Sequence, residues 1–170
     1  ETYKNVIDKF KYLKFVKIQG MGEPFLNRKI VEMVSYTSSK NIKSHINSNG
    51  VLLTEELSKR LIDAKLTELN ISFDGGRKET YEQARDGANF ENVIKNIKNL
   101  VILKNENKSK LEIGITCLIS TPQILKELPD LIEICNYTGV DNLHVKSRLK
   151  NWLKYDDNSY SFTVKNSDEF

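Results

Sequence analysis

Apolar and polar positions along this chain follow two rhythms. Short runs rich in β-branched residues change character at every second position, and longer stretches between them carry apolar residues three and four apart. The period-two runs predict strands at 15–19, 45–49, 69–74, 111–119 and 142–146. Between the first two, Ile30, Met33 and Val34 form one helical face. Between the next two, Thr54 caps a helix whose first turn carries Glu55 and Glu56, suited to the positive end of the dipole, with Leu57, Leu61 and Ala64 inward. The third connection holds a short helix near 79–84 and a longer one striped by Val93, Ile97, Leu100 and Val101. The fourth is a helix with Leu128, Leu131, Ile132 and Cys135 on its buried side, Pro129 in its first turn and Gly139 just past its end. A further helical pattern, Val6, Ile7, Phe10 and Leu13, precedes the first strand. Strands alternating with helices of this length form βαβ units, so the expected class is α/β with a parallel sheet and right-handed crossovers.

Within the predicted strands one parity is polar almost throughout. It gives Lys17 and Gln19; His45, Asn47 and Asn49; Asn70, Ser72 and Asp74; Thr116; and His144 and Lys146, with Arg148 if the extended run continues. The other parity gives Val16 and Ile18, Ile46, Leu69 with Ile71 and Phe73, Ile113 with Ile115 and Cys117, and Leu143 with Val145. Successive side chains of a strand point to opposite faces, so the apolar set can pack on helices while the polar set converges on one concave surface. An open sheet with one solvated face would share this pattern, but such faces belong to antiparallel sheets. The pattern therefore predicts a wet, ligand-lined lumen, unlike the apolar layers that fill an ordinary eight-stranded barrel.

Composition narrows the class without naming a ligand. A chain of 170 residues fits one domain, and a domain of that size buries roughly 70% of the surface its unfolded chain exposes. Charged residues make up 29% of the chain, apolar residues 39%, and the formal charge of +3 is spread along helices, which is no nucleic-acid footprint. No apolar run has the length to cross a bilayer and the N-terminus lacks a signal pattern, so neither a membrane nor export is expected, and the expected compartment is the cytoplasm. Cys117 and Cys135, one in a strand and one in a helix, lack metal-ligand spacing and read as buried thiols in a reducing compartment.

Three strand ends carry polar and glycine residues on the same rim. Gly20-Met21-Gly22-Glu23-Pro24 follows the first strand, Asn47-Ser48-Asn49-Gly50 ends the second, and Ser72-Phe73-Asp74-Gly75-Gly76 ends the third. Each alone is a turn signal. Together they lie at the C-terminal edge of the sheet, where parallel α/β folds place their ligands, and glycines there let backbone carbonyls and amides approach a ligand.

Taken in order, "IQGMGEPFLN", "INSNGVLLTEELSKRLIDAKLTELNISFDGGRKETYEQARDGANFENVIKNIKNL" and "ELPDLIEICNYTGVDNLHVK" resemble the radical S-adenosylmethionine (radical SAM) enzymes, nearest to the branch that carries a C-terminal SPASM-type extension. The resemblance implies a partial (β/α)6 TIM-like barrel, incomplete at its N-terminus, whose lumen holds SAM on a 4Fe–4S cluster. It places the family's Gly-Gly-Glu-Pro motif on Met21, Gly22, Glu23 and Pro24, with Met21 where a glycine is commonest. Backbone carbonyls and the acid would there hold the SAM amino group. Ser48-Asn49-Gly50 replaces the family's Thr-Asn-Gly and brings Asn49 to the same rim. Ser72 is expected at the ribose or the SAM carboxylate, Asp74 on the same rim, and Arg85 as a carboxylate partner, a role that suits its permanent charge and fork of donors. A surface helix charge is the other reading of Arg85. Lys17, His144, Lys146 and Arg148, if lumenal, are candidate substrate contacts, with ordinary strand-end polarity as the alternative.

One departure is large. The CxxxCxxC loop that supplies three thiolates to the cluster is absent, and Cys117 and Cys135 cannot replace it in spacing or element type. The expectation is that residues 1–150 are a core barrel lacking its first strand and cluster loop, that the ligands lie upstream of Glu1, and that the chain alone is inactive. Residues 151–170 lose the βα rhythm and read as a tail or a linker toward an auxiliary domain. The resemblance implies one-electron reduction of SAM, a 5'-deoxyadenosyl radical, and hydrogen abstraction from a peptide or small-molecule substrate, with flavodoxin or ferredoxin as electron donor. A cluster-less barrel that binds SAM or a peptide is the alternative.

Overall fold

The computed structural model of the protein describes residues 1–147 and the strand at 161–165. Along the chain stand α1 (Thr2–Lys9), β1 (Phe15–Ile18), α2 (Ile30–Ser39), β2 (Lys43–Ser48), α3 (Glu55–Asp63), β3 (Glu68–Ser72), α4 (Lys78–Ala84), α5 (Phe90–Glu106), β4 (Glu112–Ile119), α6 (Pro122–Lys126), α7 (Leu128–Thr138), β5 (Asn142–Ser147) and β6 (Ser161–Lys165). The strands form one sheet in sequence order. β1 to β5 run parallel, and β6 lies antiparallel on β5. The expected α/β class with a parallel sheet holds, and Arg148 falls outside the described residues. No described helix is long and apolar enough to cross a membrane.

Register aligns the two parities across the sheet. Lys17 pairs with His45 and His45 with Glu68; Asn47, Asn70, Gly114 and Asn142 form the next row; Ser72, Thr116 and His144 the one after. Between these rows Ile46, Leu69, Ile71, Ile113, Ile115, Cys117, Leu143 and Val145 are at most 5% exposed. They belong to a single core with Leu61 of α3, Val93, Ile97 and Leu100 of α5, and Leu131 of α7. On the opposite face Asn70 reaches over Gly114, and a Cβ at Gly114 would overlap its Oδ1.

Local signals hold with small shifts. Thr54 Oγ1 accepts the Leu57 N–H at 3.2 Å, Pro129 lies in the first turn of α7, and Gly139 ends that helix in the left-handed region. β3 stops at Ser72, so Phe73 and Asp74 belong to the loop, although the Phe73 N–H still donates to the Thr116 carbonyl. Ile132, expected on the buried side of α7, is 45% exposed. The buried stripe runs through Leu131, Cys135 and Thr138, and the next residue along a helix turns about 100° away.

Glu127, at the junction of α6 and α7, is 1% exposed and ties that junction to the loop after β3. Its carboxylate accepts the Gly76 and Arg77 N–H groups at 3.1 and 3.2 Å, the Thr80 hydroxyl at 2.7 Å and the Gln123 amide at 2.6 Å. A Cβ on Gly76 would overlap the Glu127 carbonyl oxygen, so only glycine permits this approach. Burial pushes the carboxyl's pKa up, but the donors outweigh it and hold the group below its ordinary value of 4.5. A depressed carboxylate contributes stability that is complete above its unfolded pKa and is lost as pH falls through the folded one. Glu127→Gln is expected to cost about 2–3 kcal/mol at pH 7. In urea unfolding the difference from wild type should narrow as pH drops below 4.5.

Candidate functional site

Carboxylates tie the loop after β1 to the end of β2, and the loop after β3 to β4. β1 ends at Ile18, and the glycine loop leads to Glu23, which caps the 3-10 turn Pro24–Leu26 while Phe25 anchors that turn in the core. Glu23 Oε1 accepts the Ser48 hydroxyl at 2.8 Å and the Phe25 N–H at 3.1 Å, and Oε2 accepts the Asn49 N–H at 2.8 Å. The one acid of the loop is thus a strut to the end of β2. Around it the backbone is bare: a Cβ at Gly20 or Gly22 would meet no atom within 4 Å, and Gly22 holds a φ of +143° that side chains resist. Met21 is fully exposed, so its side chain leaves that backbone uncovered.

The end of β2 is folded tightly by its own polar groups. The Gly50 N–H donates to Ser48 Oγ and the Val51 N–H to Asn49 Oδ1, both at 3.0 Å. After β3, Asp74 Oδ1 accepts the Leu118 N–H of β4 at 2.6 Å, and Oδ2 accepts Arg85 at 2.5 Å. Arg85, just past α4, is thereby drawn over the rim, where its Nε is buried without a partner among the described residues.

These elements enclose a cavity of about 530 Å³ lined by Gln19, Gly20, Gly22, Glu23, Asn47, Ser48, Asn49, Ser72 and Arg85. Gly22, Glu23, Asn49, Ser72 and Arg85 were expected here from sequence. Asp74 stands behind Arg85, while Met21 and Pro24 line a neighbouring cavity of about 490 Å³ with Leu26 and Asn27. Gln19 and Asn47 share the polar parity of Lys17 and His45, and that parity was the signal for them.

Farther down the same face runs a hydrogen-bonded chain. Glu68 Oε2 lies 3.1 Å from His45 Nδ1, His45 Nε2 lies 2.5 Å from Asn47 Oδ1, and Asn47 Nδ2 donates to Gln19 Oε1 at 3.0 Å. Asn70 Nδ2 donates to Glu68 Oε1 at 2.9 Å. Glu68 escaped the sequence reading because an acid at the first position of a strand looks like part of the preceding turn. Lys17 and Lys146 are exposed on this face and His144 is half-buried. Burial lowers the His144 pKa from 6.5; Glu68 raises it, and Lys146, His45 and Lys17 lower it further. The groups that shift this ring thus lie on β1, β2, β3 and β5.

The glycine backbone, the orphaned Arg85 Nε and the hydroxyls suit a polar, nucleoside-sized ligand. The cysteines do not suit an iron–sulfur cluster. Cys117 lies on the helix-facing parity, and burial pushes its thiol up to about 11 and that of Cys135 to about 12, whereas iron binds thiolates. Among the described residues no group of three or more His, Cys, Asp or Glu could hold a metal ion.

Comparison with known proteins decides the lineage. Residues 1–119 match the profile of the Radical SAM superfamily. The chain belongs to that superfamily. It is 29% identical over 146 residues to a probable GTP 3',8-cyclase of Methanocaldococcus jannaschii, a match covering 82% of this chain and 46% of that protein. It is 27% identical over 99 residues to the mycofactocin maturase MftC of Mycolicibacterium smegmatis, covering 57% of this chain and 25% of that one. The chain therefore spans less than half the length of these curated relatives. In fold it resembles Streptococcus suis SuiB, solved bound to S-adenosylmethionine, with a TM-score of 0.66, 20% identity, and coverage of 84% of this chain and 31% of SuiB. Radical SAM membership brings with it SAM and a 4Fe–4S cluster as the family's cofactors and enzymes as its relatives.

In this radical SAM chain the His144 imidazole should titrate below 6.5 by NMR. Lys146→Gln should raise that midpoint, and Lys17→Gln should raise it by less. No change in Lys17→Gln would mean that the sheet ends do not share a space.

Proposed function

We propose that this chain is the SAM-binding core of a radical SAM enzyme that abstracts hydrogen from a peptide or small-molecule substrate. The cavity at the ends of β1 to β3 carries this reading, because its walls offer the contacts that SAM needs. Carbonyls of the loop from Gly20 to Gly22 accept from the SAM amino group, while Glu23 fixes their path through Ser48 and Asn49. Arg85, oriented by Asp74, pairs with the SAM carboxylate. The Ser72 hydroxyl meets the ribose, and Asn49 closes the same rim. Lys17, His144, Lys146 and Arg148 serve the substrate.

The bound cofactors supply the radical chemistry, and this chain's residues bind, orient and exclude water. We assign the cluster ligands to sequence N-terminal to Glu1, because neither cysteine of the chain fits. Residues 1–150 form the core, and residues 151–170, with β6 on the sheet edge, lead toward an auxiliary region. The electron donor is a flavodoxin or ferredoxin, the compartment the cytoplasm, and neither nucleic acid nor membrane is a partner. The relatives support both substrate classes: SuiB has been solved bound to the precursor peptide SuiA, and the GTP 3',8-cyclase is named for a small molecule. A cluster-less SAM-binding barrel is the competing reading, and the buried, protonated cysteines favour it over a cluster held within this chain.

SAM titrated into the chain by calorimetry should bind. Gly20→Ala, whose Cβ would meet no atom within 4 Å beyond its chain neighbours, should weaken binding several-fold with little change in melting temperature. Arg85→Ala should weaken it by a similar factor. In the longer gene product, reconstituted anaerobically with iron and sulfide, a strong reductant should yield 5'-deoxyadenosine. SAM binding without cleavage in that protein would favour the binding module, and absence of SAM binding would overturn both readings.

A further inference from the structure

Glu68, His45, Asn47 and Gln19 form a line across the concave face from β3 to the end of β1. His45 is 6% exposed; Glu68 Oε2 lies 3.1 Å from its Nδ1, and Asn47 Oδ1 lies 2.5 Å from its Nε2. A carboxylate and an amide oxygen only accept, so both ring nitrogens carry hydrogen and the ring is an imidazolium paired with Glu68. Asn70 Nδ2, 3.4 Å from Nε2, gives its hydrogen to Glu68 Oε1 at 2.9 Å. The titratable groups around this ring are Lys17 on β1, Lys43 on its own strand, Glu68 on β3, Glu112 beside Glu68 on β4, and His144 on β5.

The line ends in the rim cavity. Asn47 Nδ2 donates to Gln19 Oε1 at 3.0 Å, and both residues line the cavity with Gly20, Gly22 and Arg85. Because His45 occupies the Asn47 oxygen, Asn47 turns its nitrogen to Gln19. Because that nitrogen occupies the Gln19 oxygen, Gln19 keeps its Nε2 hydrogens for the cavity, with no acceptor among the described residues. A neutral ring would present a lone pair at Nε2 and reverse both amides, leaving the Gln19 oxygen in the wall. The protonation of one buried ring thus decides whether the wall donates or accepts.

We propose that Gln19 is a recognition residue that donates through Nε2 to the methionyl carboxylate of SAM, and that Glu68, His45 and Asn47 are positioning residues that hold it in the donor orientation. The proposal rests on the reading of this cavity as the SAM site. In that reading the loop beginning at Gly20 takes the SAM amino group. Amino and carboxylate groups share one carbon, so the carboxylate is carried to the strand end that Gln19 occupies. It is also the only acceptor at the methionyl end of SAM. Arg85 engages one of its oxygens and Gln19 the other. Successive bonds in such a chain polarise one another, here with the donor end of each amide toward the anion.

SAM and decarboxylated SAM, which retains the ammonium, sulfonium, ribose and adenine, are titrated by calorimetry into the 170-residue chain. Gln19→Ala is expected to weaken SAM about tenfold and to leave decarboxylated SAM unchanged. Glu68→Gln keeps an acceptor at His45 but removes the charge that holds the imidazolium. It should weaken SAM about threefold at pH 7, with the deficit closing by pH 5 as the ring is protonated without its help. In the SAM-saturated wild type at pH 7, NMR of the imidazole nitrogens should show His45 doubly protonated, and exchange for decarboxylated SAM should lower that fraction. Equal loss of both ligands in Gln19→Ala, loss of neither, a Glu68→Gln deficit unchanged at pH 5, or a neutral His45 in the SAM-bound chain overturns the proposal. Any of these with SAM still bound by the wild type removes only the Gln19 assignment. No binding of either ligand by the wild type removes the SAM site and the assignment with it.

Discussion

A strand presents its side chains to opposite faces at each step, and in this chain that two-residue period fixes the core and the cavity together. Shifting any of the parallel strands by one residue would drive His45, Asn47, Asn70 or His144 into the helices and turn Ile46, Leu69, Ile71 or Val145 toward the lumen. Each buried polar group left without a partner would cost about 1–3 kcal/mol, and each isoleucine or leucine returned to water a similar amount. Register is therefore strongly specified, and the polar face is the necessary complement of a core that includes Leu61, Ile97, Leu100 and Leu131.

On that frame the loops are located by charge. Glu23 joins the β1 loop to the end of β2, Asp74 joins the β3 loop to β4 and Arg85, and Glu127 joins the same loop to the start of α7. Each uses backbone N–H groups as donors, which fixes main-chain position without requiring long side chains to order. Hydrogen bonds to a carboxylate are shorter and stronger than neutral ones. A bare glycine backbone can thus stay open at the rim without drifting.

The elements and the polar parity were legible because period two and period 3.6 are local properties of sequence. The glycine loops were legible as a group, and five of the residues expected at the rim line one cavity. What escaped was pairing across space. Nothing near Glu127 in sequence announces four donors from 47 to 51 residues away and from its own helical turn. Glu68 gained its meaning only from a histidine on the neighbouring strand, and Ile132 was misplaced because an apolar residue at the border of a helical stripe can face either way.

The parity that hides Cys117 among the helices has a kinetic side. A thiol S–H bond is weak, and a thiol is an efficient hydrogen-atom donor to a carbon-centred radical. Cys117 follows Thr116 on β4, one residue from the concave face, yet it is fully buried on the far side of the sheet. Under the proposed function, a single β-sheet stands as a barrier one residue thick between the most easily quenching side chain of the strand and a radical in the lumen.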